Sequence, residues 1–285
     1  MLKKSILLVL IVAVLFPSVT LAMTSSERTY LLSQIQILTK EVLRLQAILA
    51  SQNKSYSPQV AGDRIYSGRS GSANYIVEAG LIKNGTRNID TVHQKLFDHF
   101  KDVIGHNEAA SHIGRFKVEH VFDPKLEDYI EGYVEYIPTD DSWELTVRRD
   151  TTKPLTTKEL ELFTELYIHE YAHVLAYENP DILNNFREDF WTDRQTMSLS
   201  AKANRNFDDY GFSVLDEVYK GNFDQFVSGY AMLNADEDFA ETFTWFVEND
   251  YPVGTDVRSR KIKYFYGQRE MISVRDNVRA NLGMD

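Results

Sequence analysis

Residues 169–173 read His-Glu-Tyr-Ala-His, a set of residue types and a spacing able to hold a divalent metal ion and use it. On a helix, positions four apart share a face, so the imidazoles of His169 and His173 can reach one ion. Zinc accepts such nitrogen donors, and Glu170 would sit beside it. A carboxylate in that place does not bind the metal. It takes a proton from the water whose pKa the metal lowers to about 7. His169 and His173 are therefore expected to be ligands of one Zn2+ ion, with Glu170 as general base; two hydrogen-bonded core histidines would be the alternative.

This reading needs a helix around the motif and a third ligand, with the fourth position left to water. Thr156 and Glu159 form a capping-box pattern, with Pro154 just upstream. Leu160, Phe163, Leu166 and Tyr167 carry helical periodicity into the motif, and Pro180 closes a helix of about five turns. The glycine and third histidine that a metzincin would place close behind are absent, with Ala176 and Asn179 at those positions. A better source is NADEDFAETFTWF, from Asn234 to Phe246, where Glu237 and Glu241 share one helical face and Phe239, Phe243 and Phe246 line another. So apolar a helix is expected to be buried, and a buried carboxylate needs a metal, a cation or several donors to stay ionised. Glu237 is expected to bind zinc, and Glu241 to accept the free imidazole N–H of a liganding histidine. An exposed acidic stripe on a helix rim is the alternative.

Together these residues resemble the gluzincin metallopeptidases, and within them the branch containing anthrax lethal factor and the secreted Pro-Pro endopeptidases. In that branch the ligand glutamate opens an EDFAE-like helix, and a catalytic tyrosine lies seven residues before it. Here Glu237 opens EDFAETF, and Tyr230 stands seven residues earlier. The resemblance implies a two-lobed, zincin-like α+β domain and a zinc endopeptidase acting on peptide or protein substrates. It gives Tyr230 the role of stabilising the oxyanion or helping to protonate the departing amine, which suits a neutral phenol donor. The stretch between His173 and Glu237 is longer than the family's, and reads either as a substrate-binding or lid element or as extra helices.

Lys3 and Lys4 precede an apolar run from Ile6 to Phe16, with Thr20, Leu21 and Ala22 at a cleavage-like site. Residues 1–22 thus read as a secretory signal peptide, or, uncleaved, as an anchor, and imply a secreted or extracytoplasmic product, bacterial in style. No cysteine is present, so no disulfide can stabilise an exported product. The net charge of −11 argues against nucleic-acid binding. Residues 23–50 form a helical stem in which Leu31, Ile35, Leu38, Val42, Leu45 and Leu49 alternate steps of four and three. That spacing suits a parallel homodimer through residues 31–49, or docking of the stem on the catalytic domain or on a cell-envelope component. Residues 51–74 read as a flexible linker, and 75–285 as the catalytic domain.

Within that domain a helix is expected over Ile89–Ile104, then strands through Phe116–Phe122, Ile130–Ile137 and Trp143–Val147. Ser142–Arg149 is expected to be the sheet edge to which a peptide would add, or else an ordinary internal strand. Histidines 93, 99, 106, 112 and 120 lack ligand spacing and are expected on the surface or in the core. Residues 258–282 read as one or two closing helices. A non-catalytic surface module with a structural zinc, or a zinc hydrolase of a non-peptide envelope polymer, are the competing functions.

Overall fold

The computed structural model describes residues 72–84, 88–121, 131–153, 155–210, 215 and 218–284. The signal peptide, the stem with its dimer seam, and the linker as far as residue 71 lie outside the described residues. Among those described, no helix is long and apolar enough to cross a membrane.

The fold is α+β, with one five-stranded sheet. It opens with two strands that the sequence reading assigned to the linker's end and to no element, β1 (Ala73–Glu78) and β2 (Leu81–Lys83). Ala73, Tyr75 and Val77 point inward, and Ala79 and Gly80 close the hairpin with φ of 50° and 71°. Both central residues therefore take the left-handed conformation that tight hairpins require. Helix α1 (Thr91–Ile104) follows, its first amides at Val92 and His93 capped by the Asp90 carboxylate. A short helix, α2 (His106–His112), leads into β3 (Ile113–His120), β4 (Glu131–Ile137) and β5 (Ser142–Arg149).

The strand order is β2-β1-β3-β5-β4, with β3 and β5 parallel and β4 antiparallel to β5. This corrects the expected edge: Ser142–Arg149 is internal, bonded on both sides, and β4 is the free edge nearest the motif helix. The reason is visible in burial, since Leu145, Thr146 and Val147 are fully buried whereas β4 alternates half-buried and exposed residues. One sheet face carries Tyr75, Phe116, Val118, Leu145 and Val147 into the core. On the other, Lys117 pairs with Glu119 at 2.6 Å, and Arg148 with Glu119 and Glu131.

The motif helix, α3 (Thr157–Glu178), packs against α1 and β4. The capping box forms as expected: Glu159 N–H donates to the Thr156 hydroxyl, and Thr156 N–H donates to the Glu159 carboxylate. Gly132 on β4 lets the two elements meet, because a Cβ there would lie 2.9 Å from the Thr146 carbonyl and 3.0 Å from Leu166. The long segment after the motif holds α4 (Pro180–Phe190) and α5 (Arg194–Tyr210). A 3-10 turn at Tyr230–Met232 precedes α6 (Ala235–Glu248), and α7 (Val257–Phe265) and α8 (Arg269–Leu282) close the chain.

Phe239, Phe243 and Phe246 of α6 are buried together with Phe265 of α7, as the apolar face of their segment implies. Beneath them lies a fully buried ion pair, Lys261 Nζ to Asp238 Oδ2 at 2.6 Å. Trp191 Nε1 and the Thr242 hydroxyl also donate to Asp238, and the ammonium lies 3.8 Å from the centre of the Phe226 ring. Breaking such a pair strands a charge in the interior, at a cost of about 3–5 kcal/mol. Lys261→Met is therefore expected to lower the unfolding free energy in urea by about that amount, whereas Lys261→Met combined with Asp238→Leu should recover part of it. An unchanged midpoint for the single variant would show that the pair does not anchor α6.

Candidate metal centre

The back of α3 is fixed first. Tyr167 donates its hydroxyl to the Leu96 carbonyl of α1 at 2.9 Å, and Tyr171 donates to the Glu108 carboxylate of α2 at 2.8 Å. With those tyrosines turned into the core, His169 and His173 face α6, and the two rings lie 4.9 Å apart. No other pair of described helices packs as extensively as α3 with α6.

Glu237 occupies the first turn of α6, its amide held by the side chain of the N-cap Asn234. A carboxylate there is favoured by the helix dipole. Its Oε2 lies 3.2 Å from His169 Nε2 and 3.3 Å from His173 Nε2, and the two Nε2 atoms are 3.2 Å apart. Among the described residues, these three form the one His/Cys/Asp/Glu group whose donor atoms could share an ion. The separations fit zinc, for with bonds of about 2.0–2.1 Å the edge of a ligand tetrahedron is about 3.3–3.4 Å. Glu237 Oε2 is moreover buried and without a hydrogen bond of acceptable geometry, as a metal ligand's oxygen would be.

Glu241, one turn along α6, accepts from His169 Nδ1 at 2.7 Å, the contact expected from its spacing. The bond fixes the tautomer, leaving the Nε2 lone pair for a cation. Burial opposes ionisation of Glu241, but its bond to His169 and a further one from Ser228 hold its carboxyl below the usual range. Burial works against the imidazolium of His169, yet Glu237 and Glu241 together raise it to about 10. Glu237, opposed by burial and favoured by the two histidines, is lowered to about 2.

Glu170 is 5 % exposed, and burial raises its pKa above the ordinary carboxylate value; the two histidines and a hydrogen bond from the Val134 amide of β4 pull the other way. A carboxylate so placed keeps affinity for a proton, which a general base needs. Tyr230 brings its ring to 5.8 Å from that of His169. All six residues singled out in the sequence thus gather where α3, α6 and the Tyr230 turn meet.

Several positioning residues were not foreseen. Ser228 bonds Glu241 and also accepts from the Ala231 amide at 3.0 Å, tying the Tyr230 turn to α6. Gly229 lets that turn rest on Leu215, whose backbone a Cβ would approach to 3.0 Å. Arg187 of α4 reaches Asp236 at 2.5 Å, and Asn204 of α5 donates to the Leu233 carbonyl at 2.6 Å. The described helices of the long segment therefore brace the turn that presents Tyr230 and Glu237. Glu248, raised to about 7 by burial and by the charges of Glu165 and Glu241, lies farther along the same helix. Of the dispersed histidines, His93 bonds the Tyr75 hydroxyl, His99 the Leu160 carbonyl, and His112 and His120 lie near Tyr171 and Thr151.

Compared with protein-family models, with curated proteins and with solved structures, the chain has no match.

A cation entering this centre must displace the proton that the carboxylates hold on His169. Because the two carboxylates raise the affinity of His169 for that proton, apparent zinc affinity is expected to rise with pH above 7, by up to about tenfold per unit, with proton release. Competition titrations with a chelator at three pH values measure this, and a flat profile would contradict the assigned cluster.

Proposed function

We propose that this chain is an exported zinc endopeptidase of gluzincin type, with a zincin-like catalytic domain. The observation that carries the reading is the mutual 3.2–3.3 Å spacing of His169, His173 and Glu237 donors, with the buried Glu170 beside them. Three donors suit a catalytic site, whereas a structural site is closed by four protein ligands. The leader at residues 1–22 supports export.

His169, His173 and Glu237 would hold the ion, and Glu241 would keep the first imidazole in register. When bound, zinc supplies Lewis acidity, polarising a carbonyl and making water a better nucleophile at neutral pH. An extended peptide would pair with the free edge of β4, whose Val134 amide already touches the Glu170 carboxylate. Glu170 takes the proton from the attacking water and hands it to the leaving nitrogen. Tyr230 donates its hydroxyl to the oxygen on which negative charge develops.

Glu170→Gln is expected to retain one zinc per chain while peptide cleavage, read on a broad quenched-fluorescence library, falls by about 10²–10⁴. Tyr230→Phe should lower kcat about 10²–10³ with little change in KM. Cleavage surviving in a clean Glu170→Gln preparation would refute the general-base role, and zinc binding without cleavage of any peptide by the unmodified protein would refute the peptidase reading.

A further inference from the structure

Tyr177 follows His169 and His173 at the same four-residue step, so it lies one turn, about 6 Å, beyond His173 on α3. Its ring is 55 % exposed, unusual for so large an aromatic group on a helix whose other aromatic rings are buried. It stacks on Tyr136 of the edge strand, with ring centres 5.6 Å apart at 27°, and meets Trp143 edge-on at 5.0 Å and 86°. The polar ends of the two supporting rings are tied to carboxylates. Tyr136 donates its hydroxyl to Asp141 at 2.5 Å, and Trp143 Nε1 donates to Glu178 at 3.1 Å. Both carboxylates are exposed.

We infer that Tyr136, Trp143 and Tyr177 form a substrate subsite that takes a basic side chain, lysine or arginine, of the peptide being cut. This rests on the proposed peptidase function and adds a specificity to it. Tyr177 offers the exposed face of its ring to a cation, with Tyr136 and the buried Trp143 holding that ring in place, and Asp141 and Glu178 add negative charge at the rim. Two carboxylates beside an exposed ring disfavour an acidic residue and give a purely apolar one no advantage over other surfaces. Position follows from register. Tyr136 is two residues beyond Val134, about 7 Å along the edge that meets Glu170. A peptide paired antiparallel to β4 would place opposite Tyr136 a residue about two positions amino-terminal to the one opposite Val134. The basic residue therefore lies on the amino-terminal side of the cut bond.

The test uses the zinc-loaded protein and peptides of one sequence, varied to lysine, arginine, norleucine, proline or glutamate at each of three positions before the cut. Lysine or arginine at one position is expected to exceed norleucine in kcat/KM by about 3- to 10-fold. Tyr177→Ala should bring that ratio near one, while Tyr177→Phe, which keeps the ring, should preserve it. A preference for proline or norleucine, or a lysine ratio untouched by Tyr177→Ala, would overturn the subsite and leave the peptidase reading intact. A second arm is independent of turnover. In Glu170→Gln protein the indole N–H resonance of Trp143, assigned by its loss in Trp143→Phe, is followed as the lysine and norleucine peptides are added. A lysine-selective shift supports the subsite even if no peptide is cut, and equal or absent shifts reject it.

Discussion

Three electron-pair donors held within 3.3 Å of one another on two helices repel unless positive charge lies among them. That constraint organises the rest of the molecule. A proton can supply the charge, which is why burial fails to keep His169 neutral and why Glu237 stays ionised. A divalent cation supplies it better, with bond lengths that the spacing already fits. A proton and a cation would compete for that one place, so metal uptake here would depend on pH, while Glu241 orients the imidazole in either case.

Holding such an arrangement requires rigid elements on both sides. On α3 the tyrosines at 167 and 171 grip α1 and α2 and turn the histidines toward α6. On α6 the neighbours of the ligand carry the anchoring: Asp236 reaches Arg187, and Asp238 is locked to Lys261 and Trp191. Glu237, between them, is left facing the histidines. Ser228 then couples the Tyr230 turn to the same helix, and Gly229 lets that turn rest on Leu215.

What was legible in the sequence was local. The placement of HEYAH and of the Glu237–Glu241 pair was legible because helical spacing alone puts those side chains on shared faces, and the phenylalanines of α6 announced its burial. The β1–β2 hairpin was hidden because Ile76 and Leu81 are apolar yet exposed, which blurs the alternation that marks a strand. The edge was misplaced because strand order is set by long-range pairing, and Trp143-Glu-Leu-Thr-Val looks amphipathic while Thr146 is fully buried. Val134 reaches Glu170 through a backbone amide, which every residue but proline possesses and which leaves no trace in side-chain pattern. Arg187 acts across the fold on a partner 49 residues along the chain, and the Ser228 hydroxyl leaves no pattern that distinguishes it from any other loop serine.

Zinc K-edge X-ray absorption on the purified, metal-loaded protein tests the central claim most directly. The arrangement predicts one zinc per chain in a four-coordinate nitrogen and oxygen shell at about 2.0–2.1 Å, with scattering from two imidazoles that falls to one in His173→Ala. A six-coordinate oxygen shell, or imidazole scattering unchanged by that substitution, would contradict it.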